Sequence, residues 1–180
     1  MISTLRGVYT VVAYRKQLMK FTDENEKVTV DIHEMAIEKM VKYLQADSLS
    51  SESGGVLLGY MDATTSTINI IDVTEPSKDD VKSRAYFLRK SISHVRRIQL
   101  AIKNKDYYVG NWHTHPQNAP FPSSLDVKTW SKGLKYDKVP FGFQIYIVCG
   151  IEKMRVWIGE EKTKKIHELN EVEMVNGLYK

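Results

Sequence analysis

Two histidines that stand two positions apart are the feature of this sequence with the clearest chemical meaning. His113 and His115 occur in the run Asn-Trp-His-Thr-His-Pro. In a β-strand, residues two apart point to the same face, so both imidazoles could reach one metal ion. The proline after His115 ends the strand, and Pro-Ser-Ser at 122–124 predicts a helix start that puts Asp126 in the first helical turn. Two histidines, one aspartate and an open fourth position are typical of a catalytic zinc site.

A hydrolytic zinc site also needs a proton acceptor that is not a ligand. Zinc lowers the pKa of its bound water to about 7, and Glu52, just before a glycine-rich strand, is the candidate general base. Ser123 is the candidate hydrogen-bond donor to the oxyanion, which leaves Ser124 as the expected helix cap. Gly54 and Gly55 beside Glu52 permit either close contact between strands or the approach of a substrate backbone.

A sheet must hold the histidines, and the hydrophobic pattern predicts one. Near the N-terminus it predicts strands at Val8 to Tyr14 and at about Gln17 to Val30, with a polar turn at Asp23 to Asn25. From Asp31 the pattern changes to that of a helix, with Asp31 as its cap and Glu34 completing a capping box. The face of this helix that should pack on the sheet consists of Ile37, Met40, Val41 and Leu44.

The remaining predicted elements alternate between strands and helices. The strands are Gly55 to Tyr60, Thr67 to Val73, Tyr107 to His115, and a hairpin of Phe143 to Cys149 and Met154 to Ile158 that turns at Gly150. The helices are Lys90 to Lys103, with Ile92, Val95, Gln99 and Ile102 inward and Arg96 and Arg97 toward solvent, and Ser123 to Leu134. This order predicts one α/β domain over residues 1–180, with helices on the faces of a sheet.

Composition narrows the classes of function. The chain has one cysteine among 180 residues and a net charge of +4, and its 26 basic residues are spread along it. Dispersed charge does not indicate nucleic-acid binding, and no apolar run approaches the roughly 20 residues that cross a membrane. One cysteine excludes an internal disulfide and the cysteine pair of nucleobase deaminases, so we expect a reducing compartment, the cytoplasm. Cys149 and Trp112 are predicted to be buried strand residues.

Together these residues resemble a known motif: a glutamate, then His-x-His, then seven residues, then Ser-x-x-Asp. It is similar to the motif of the JAMM (MPN-plus, or JAB) metalloprotease family, and the matching positions are Glu52, His113, His115, Ser123 and Asp126. The resemblance covers about residues 50–160. It implies a cytidine-deaminase-like α/β fold with a central mixed sheet, one catalytic zinc ion with a bound water, and cleavage of isopeptide or peptide bonds at the tails of ubiquitin-like proteins.

Within that family the chain resembles the small stand-alone bacterial members. It has their Glu-Ser-Gly-Gly at Glu52 to Gly55, their Thr-x-Pro at Thr74 to Pro76, and their Tyr-x-Gly-x-Trp-His-Thr-His-Pro at Tyr108 to Pro116. The resemblance to the deconjugating peptidases of type II CBASS antiphage operons implies that the substrate is the C-terminal tail of a CD-NTase joined to a target. Two alternatives stay open: a processing protease for a ubiquitin-like or sulfur-carrier precursor, and a metal-free binding scaffold.

The resemblance also indicates where a tail could bind. Glu75 to Arg89 replaces the first insertion of the eukaryotic members and could pair with an extended tail by adding a strand. The second insertion has little room, about Lys132 to Pro140, so the sequence does not predict a grip on a whole ubiquitin fold. The candidate substrate-binding residues are Gly54, Gly55, Thr74, Arg84 and Phe87.

Overall fold

The computed structural model describes residues 18–25, 27–47, 49–137 and 139–173. The strands are β1 (Leu18–Thr22), β2 (Thr29–His33), β3 (Gly54–Asp62), β4 (Thr67–Val73), β5 (Val81–Lys82), β6 (Phe87–Leu88), β7 (Tyr107–Thr114), β8 (Phe143–Cys149), β9 (Met154–Glu160), β10 (Ile166–Glu168) and β11 (Asn170–Glu173). The helices are α1 (Glu34–Val41), α2 (Ile92–Lys103) and α3 (Ser124–Tyr136). The predicted strand at Val8 to Tyr14 lies outside the described residues.

Nine of these strands form one mixed sheet in the order β10-β9-β8-β7-β3-β4-β2-β1-β11, and β5 pairs with β6 separately. The pairs β2/β4 and β7/β8 are parallel, and the other pairs are antiparallel. The strands at the two ends of the order, β10 and β11, are consecutive in the chain and separated only by Leu169, which is buried. The sheet therefore curls until its two ends meet.

Helices pack on both faces of this sheet. Because side chains alternate between faces along a strand, Leu57 faces α1 in the largest buried cluster, whereas Val56 packs against α2. Val56 is in register with Asn111, and Asn111 with Tyr146, so Tyr146 and the helix α3 that it contacts lie on the face of α2. The predicted α/β fold is confirmed. Among the described residues, no helix has both the length and the apolar character needed to cross a bilayer.

The N-terminal part of the fold differs from the prediction. The segment predicted as a strand from Gln17 to Val30 is a hairpin of β1 and β2, and its polar turn lies at Asp23 to Asn25 as predicted. The carboxylate of Asp23 accepts hydrogen bonds from the backbone amides of Lys27 and Val28. Asp31 is not a helix cap, because β2 runs on to His33, which is the N-cap of α1. Pairing on both sides of β2 buries Val30 and Ile32 completely, which outweighs the roughly 1 kcal/mol that a cap contributes.

Helix α2 is rotated from the predicted orientation. The side chains predicted to face inward are exposed, with 56% of Ile92, 46% of Val95 and 49% of Ile102 open to solvent. His94 and Ala101 are buried instead. Hydrogen bonds explain the rotation, because His94 bonds to Asp80 and Thr74. Arg96 and Arg97 are exposed, as predicted, and Arg97 also pairs with Asp72 of β4.

Candidate metal centre

Strand β7, which ends at Thr114, and the residue after it present the two histidines to one point. The Nε2 atoms of His113 and His115 lie 3.1 Å apart, and Thr114 between them is buried on the opposite side. The backbone fixes this end of the strand, because Thr114 N–H donates to Ser53 O at 2.9 Å and His115 N–H donates to Cys149 O at 2.9 Å. The predicted convergence of both imidazoles follows from the alternation of strand side chains.

The N-terminus of α3 brings in the aspartate. Ser123 is the N-cap, and it forms a capping box with Asp126, so the expectation that Ser124 caps the helix was wrong. Asp126 Oδ2 accepts from Ser123 N–H at 2.7 Å and from its hydroxyl at 2.5 Å. Asp126 Oδ1 lies 3.3 Å from His113 Nε2, and Oδ2 lies 3.4 Å from His115 Nε2. Because Ser123 donates both hydrogen bonds to Oδ2, Oδ1 is the oxygen that remains available to another partner.

The nitrogen and oxygen atoms of His113, His115 and Asp126 would be better satisfied by a shared cation than by contacts with one another. Two imidazole nitrogens face each other, and only one proton could lie between them, so the pair gains little without a shared positive ion. Burial alone would lower the pKa of His115, but its hydrogen bond to Asp126 and the charges of Asp126 and Glu52 outweigh that effect and raise it. Burial would raise the pKa of Asp126, but hydrogen bonds from His113, His115 and Ser123 outweigh it and lower that pKa. Such a cluster of two histidines and one aspartate is compatible with a metal site.

Glu52 stands beside this cluster without belonging to it. Its Oε1 lies 3.7 Å from His115 Nε2, its side chain is buried, and its backbone N–H donates to Ser83 O at 2.7 Å. Burial raises the pKa of Glu52 to about 7, the charge of His115 opposes that rise, and the charge of Asp126 adds to it. A carboxyl with a pKa near neutrality can both take up and release a proton under physiological conditions.

A groove of about 530 Å³ runs past Glu52, His113 and Asp126. One wall is the hairpin segment Ala85 to Arg89, and the other is the inward side of α3. Trp130 of α3 lines the groove, stacks on Tyr146 at 4.6 Å between ring centroids, and lies 6.3 Å from the His113 ring. Trp130 was not among the site residues predicted from the sequence, although a position four residues after Asp126 on a helix shares its face.

Of the predicted substrate-binding residues, Gly55 and Phe87 line the groove. The glycines serve contacts within the fold, since a Cβ on Gly54 would lie 2.8 Å from Phe87 Cδ1 and one on Gly55 would lie 2.0 Å from Thr74 O. Thr74 is buried, and its hydroxyl contacts His94 and accepts from Val56 N–H, so the structure does not bring it to the groove.

Arg84 is also away from the groove. It is exposed, and its positive charge is one of the influences that lower the pKa of Asp47. Arg89, which the sequence analysis did not select, lines the groove instead and donates a hydrogen bond to Asn111 Oδ1. The segment in which the sequence leaves little room for a second insertion begins within α3, and its residues Lys132 and Tyr136 line the groove.

Comparisons with known proteins show which family the chain resembles. A family model, described as prokaryotic homologues of the JAB domain, matches residues 33–168. A protein of Escherichia coli (strain TW11681) named CD-NTase/cGAS isopeptidase is 30% identical over 152 residues, which cover 83% of this chain and 92% of that relative. A protein of Vibrio cholerae serotype O1 with the same name is 27% identical over 156 residues, which cover 85% of this chain and 94% of that relative.

A solved structure shares the fold. A protein from Desulfitobacterium hafniense, determined in solution, superposes with a TM-score of 0.52 at 18% identity and covers 80% of this chain and 90% of its own. At that identity the likeness supports the architecture alone.

Proposed function

This chain belongs to the prokaryotic JAB-domain family, and we propose that it is a zinc-dependent isopeptidase that removes the C-terminal tail of a CD-NTase or ubiquitin-like protein from conjugated targets in CBASS antiphage defence. The observation that carries the proposal is the convergence of Glu52, His113, His115 and Asp126 at one groove. The names of the two bacterial relatives support the reaction class and the CD-NTase conjugate. The proposed enzyme is one domain that acts in the cytoplasm.

The spacing of the three proposed ligands supports zinc as the ion. Zinc with four ligands is tetrahedral, and Zn–N distances of 2.0–2.1 Å put its ligand atoms about 3.3 Å apart. The two Nε2 atoms lie 3.1 Å apart, close to that spacing. Asp126 approaches His113 through Oδ1 at 3.3 Å and His115 through Oδ2 at 3.4 Å. His113, His115 and Asp126 would hold the ion, and zinc in that position would supply an acidified water and a charge that polarises the scissile carbonyl.

The residues around the ion divide the remaining work. Glu52 takes the proton of the attacking water on its buried carboxylate and later delivers it to the leaving amine. Ser123 donates its hydroxyl to the oxyanion, for which the hydroxyl must turn away from Asp126 Oδ2. The backbone N–H of Ser123 still donates to Asp126 when the hydroxyl rotates, so the proposed ligand stays in place.

The groove is the proposed site of the tail. Its aromatic and aliphatic lining can contact an extended chain along its length; these residues are Tyr86, Phe87, Leu88, Leu125, Trp130, Tyr136 and Tyr146. Within the described residues β6 is paired with β5 alone, so its second edge can add a strand.

The proposal is tested with a fusion of a bacterial CD-NTase C-terminal segment to a reporter protein. We expect the wild type to cleave at the junction, a zinc chelator to abolish cleavage, and added zinc to restore it. Glu52→Ala serves as the blank, because it leaves the three proposed ligands intact.

Each negative result has a distinct meaning. Cleavage that persists after full removal of metal would contradict a zinc mechanism. Purified protein without metal and without activity would favour the scaffold alternative. Protein that contains metal but does not cleave the CD-NTase fusion would contradict the proposed substrate. Fusions that carry other ubiquitin-like tails would then be tested.

A further inference from the structure

A second polar cluster lies outside the candidate metal centre. Thr74 Oγ1 lies 2.6 Å from His94 Nδ1, and His94 Nε2 lies 2.9 Å from Asp80 Oδ2. All three residues are buried, with exposures of 6%, 1% and 8%. Because the Asp80 carboxylate accepts hydrogen bonds, His94 carries a proton on Nε2, and in the neutral ring Nδ1 then accepts from the Thr74 hydroxyl.

A hydroxyl, an imidazole and a carboxylate in series can activate a nucleophile, but this series is not placed to do so. A nucleophile must reach its substrate, whereas the Thr74 hydroxyl is buried and already accepts from Val56 N–H at 2.9 Å. The cluster therefore acts within the fold.

Asp80 joins the two ends of the segment that carries β5 and β6. Its Oδ2 accepts from Ser77 N–H at 2.7 Å, before the hairpin. Its Oδ1 accepts from Lys90 N–H and Ser91 N–H, each at 2.9 Å, after the hairpin. His94 then ties the carboxylate to α2, on which it lies, and to Thr74, the residue after β4. We call Thr74, Asp80 and His94 the Asp80 clasp.

The segment that the clasp closes reaches the chemical centre by two routes. Ser83 O accepts the backbone N–H of Glu52 at 2.7 Å, so the hairpin holds the main chain of the proposed general base. Phe87 packs over Gly54 and lines the groove. A displacement of the hairpin would therefore move Glu52 and one wall of the groove together.

We infer that Asp80, oriented by His94, is a positioning residue that holds the β5–β6 hairpin against Glu52 and sets the wall of the tail groove. The kinetic part of its test rests on the proposed function, whereas the hydrogen-exchange part does not. The Asp80 clasp acts through the hairpin and contacts neither the proposed substrate nor the proposed metal.

The test compares Asp80→Asn with Asp79→Asn in the full chain. Both variants remove one negative charge at neighbouring positions, but Asp79 is exposed and Asp80 is buried. An amide at position 80 puts its NH2 group either against Ser77 N–H and His94 Nε2 or against Lys90 N–H and Ser91 N–H. In either orientation one pair of donors loses its acceptor.

For Asp80→Asn we expect kcat/KM on the CD-NTase fusion to fall by about tenfold, with KM raised by the displaced wall and kcat lowered by the displaced Glu52, and with zinc content unchanged. Amide hydrogen exchange should quicken by a similar factor at Glu52, Lys90 and Ser91, while amides of the central strand β8 keep wild-type rates. Asp79→Asn should match the wild type in every measurement.

Replacement of His94 provides a second variant pair in case Asp80→Asn does not fold. The amide nitrogen of His94→Gln can replace Nε2 as the donor to Asp80, whereas His94→Leu cannot donate. We expect the glutamine variant to keep most of the exchange protection at Glu52 and the leucine variant to lose it.

The inference is overturned if Asp80→Asn and Asp79→Asn agree in KM and in exchange at Glu52. It is also overturned if exchange rises equally in β8, because the clasp would then contribute only to global stability. Should the wild type cleave no tail, the proposed function fails, and the exchange measurements still decide whether the clasp holds Glu52.

Discussion

The candidate metal centre and the β5–β6 hairpin face each other across one groove, yet they are held in place in different ways. The proposed ligands come from two local patterns, His-x-His on a strand and Ser-x-x-Asp at a helix start. The hairpin depends on partners that are distant in sequence, such as Asp80 with His94, 14 residues apart, and Ser83 with Glu52. Local geometry can be inferred from spacing, because strand and helix periods are known. Contacts between distant segments depend on how the elements pack.

The largest expected effect tests the metal side of this comparison. Asp126→Ala removes a proposed ligand, and we expect the affinity for zinc to fall by more than about 100-fold, since loss of outer partners alone costs 10–100-fold. Glu52→Ala should keep zinc and lower kcat by about 10² to 10⁴-fold. Competition with a chelator measures the affinity, and the fusion assay measures kcat.

Equal loss of zinc in both variants would contradict the division of roles. Asp126→Ala also removes half of a capping box, which costs roughly 1 kcal/mol. Circular dichroism of the variant separates that cost from the loss of metal.

The next effect tests the hairpin side through pH. Burial would raise the pKa of Asp80, but hydrogen bonds from His94 and from the backbone of Ser91, Ser77 and Lys90 outweigh it and lower the pKa to about 2. Because this value lies below the ordinary 3.8, the ionised carboxylate stabilises the fold above about pH 4, and that stabilisation is lost as the pH falls through about 2.

The free-energy difference between the wild type and Asp80→Asn should therefore narrow by about 2 kcal/mol as the pH falls from about 5 to below 2. Urea denaturation at a series of pH values measures it, with Asp79→Asn as control. A difference that stays constant with pH would show that the charge of Asp80 is not what the clasp uses.

A smaller expected effect distinguishes substrate binding by the groove wall from the chemical step at the metal centre. Phe87→Ala opens the wall beside Gly54, and we expect KM for the fusion to rise about tenfold, equivalent to about 1.4 kcal/mol, with zinc binding unchanged. Tyr60→Ala, at the far end of β3 and 40% exposed, is the control and should leave KM as it is. A fall in kcat without a change in KM would place Phe87 with the chemical centre.

The smallest effect tests the orientation of α2, the helix that carries His94. Val95→Ser lies on the exposed face and should change the free energy of unfolding by less than about 0.5 kcal/mol. Ile98→Ser lies on the face packed against Val56 and Leu58, and we expect it to cost more than about 1 kcal/mol. Thermal or chemical denaturation measures both, and the reverse order would restore the orientation predicted from hydrophobic spacing.

The sequence carried enough information for the fold class and for the grouping of His113, His115 and Asp126. Trp112 and Cys149 are buried as predicted, and burial raises the pKa of the Cys149 thiol, which suits a packed and unreactive side chain. Each of these outcomes follows from alternation along a strand or from the position of a helix start.

The failures have a common cause. Asp31 had the right spacing to cap a helix, but pairing of β2 on both sides extended the strand through it. The apolar positions Ile92 and Val95 matched a helical period, but hydrogen bonds of His94 set the rotation of α2. In each case a contact with a distant segment decided between two locally reasonable structures, and a single sequence does not display such contacts.

The joining of β10 and β11 through Leu169 affects how the protein can meet other chains. A sheet that ends in long unpaired strands offers a template on which foreign strands can grow, and aggregation starts at such edges. Here the outer strands of the nine-stranded sheet have three and four residues and are consecutive in the chain, so little template remains among the described residues. The two-residue strand β6, which lines the groove, pairs on one side only within the part of the chain that the structure describes. If the groove binds extended tails as proposed, the protein can confine strand addition to the groove while its large sheet offers little edge to copies of itself.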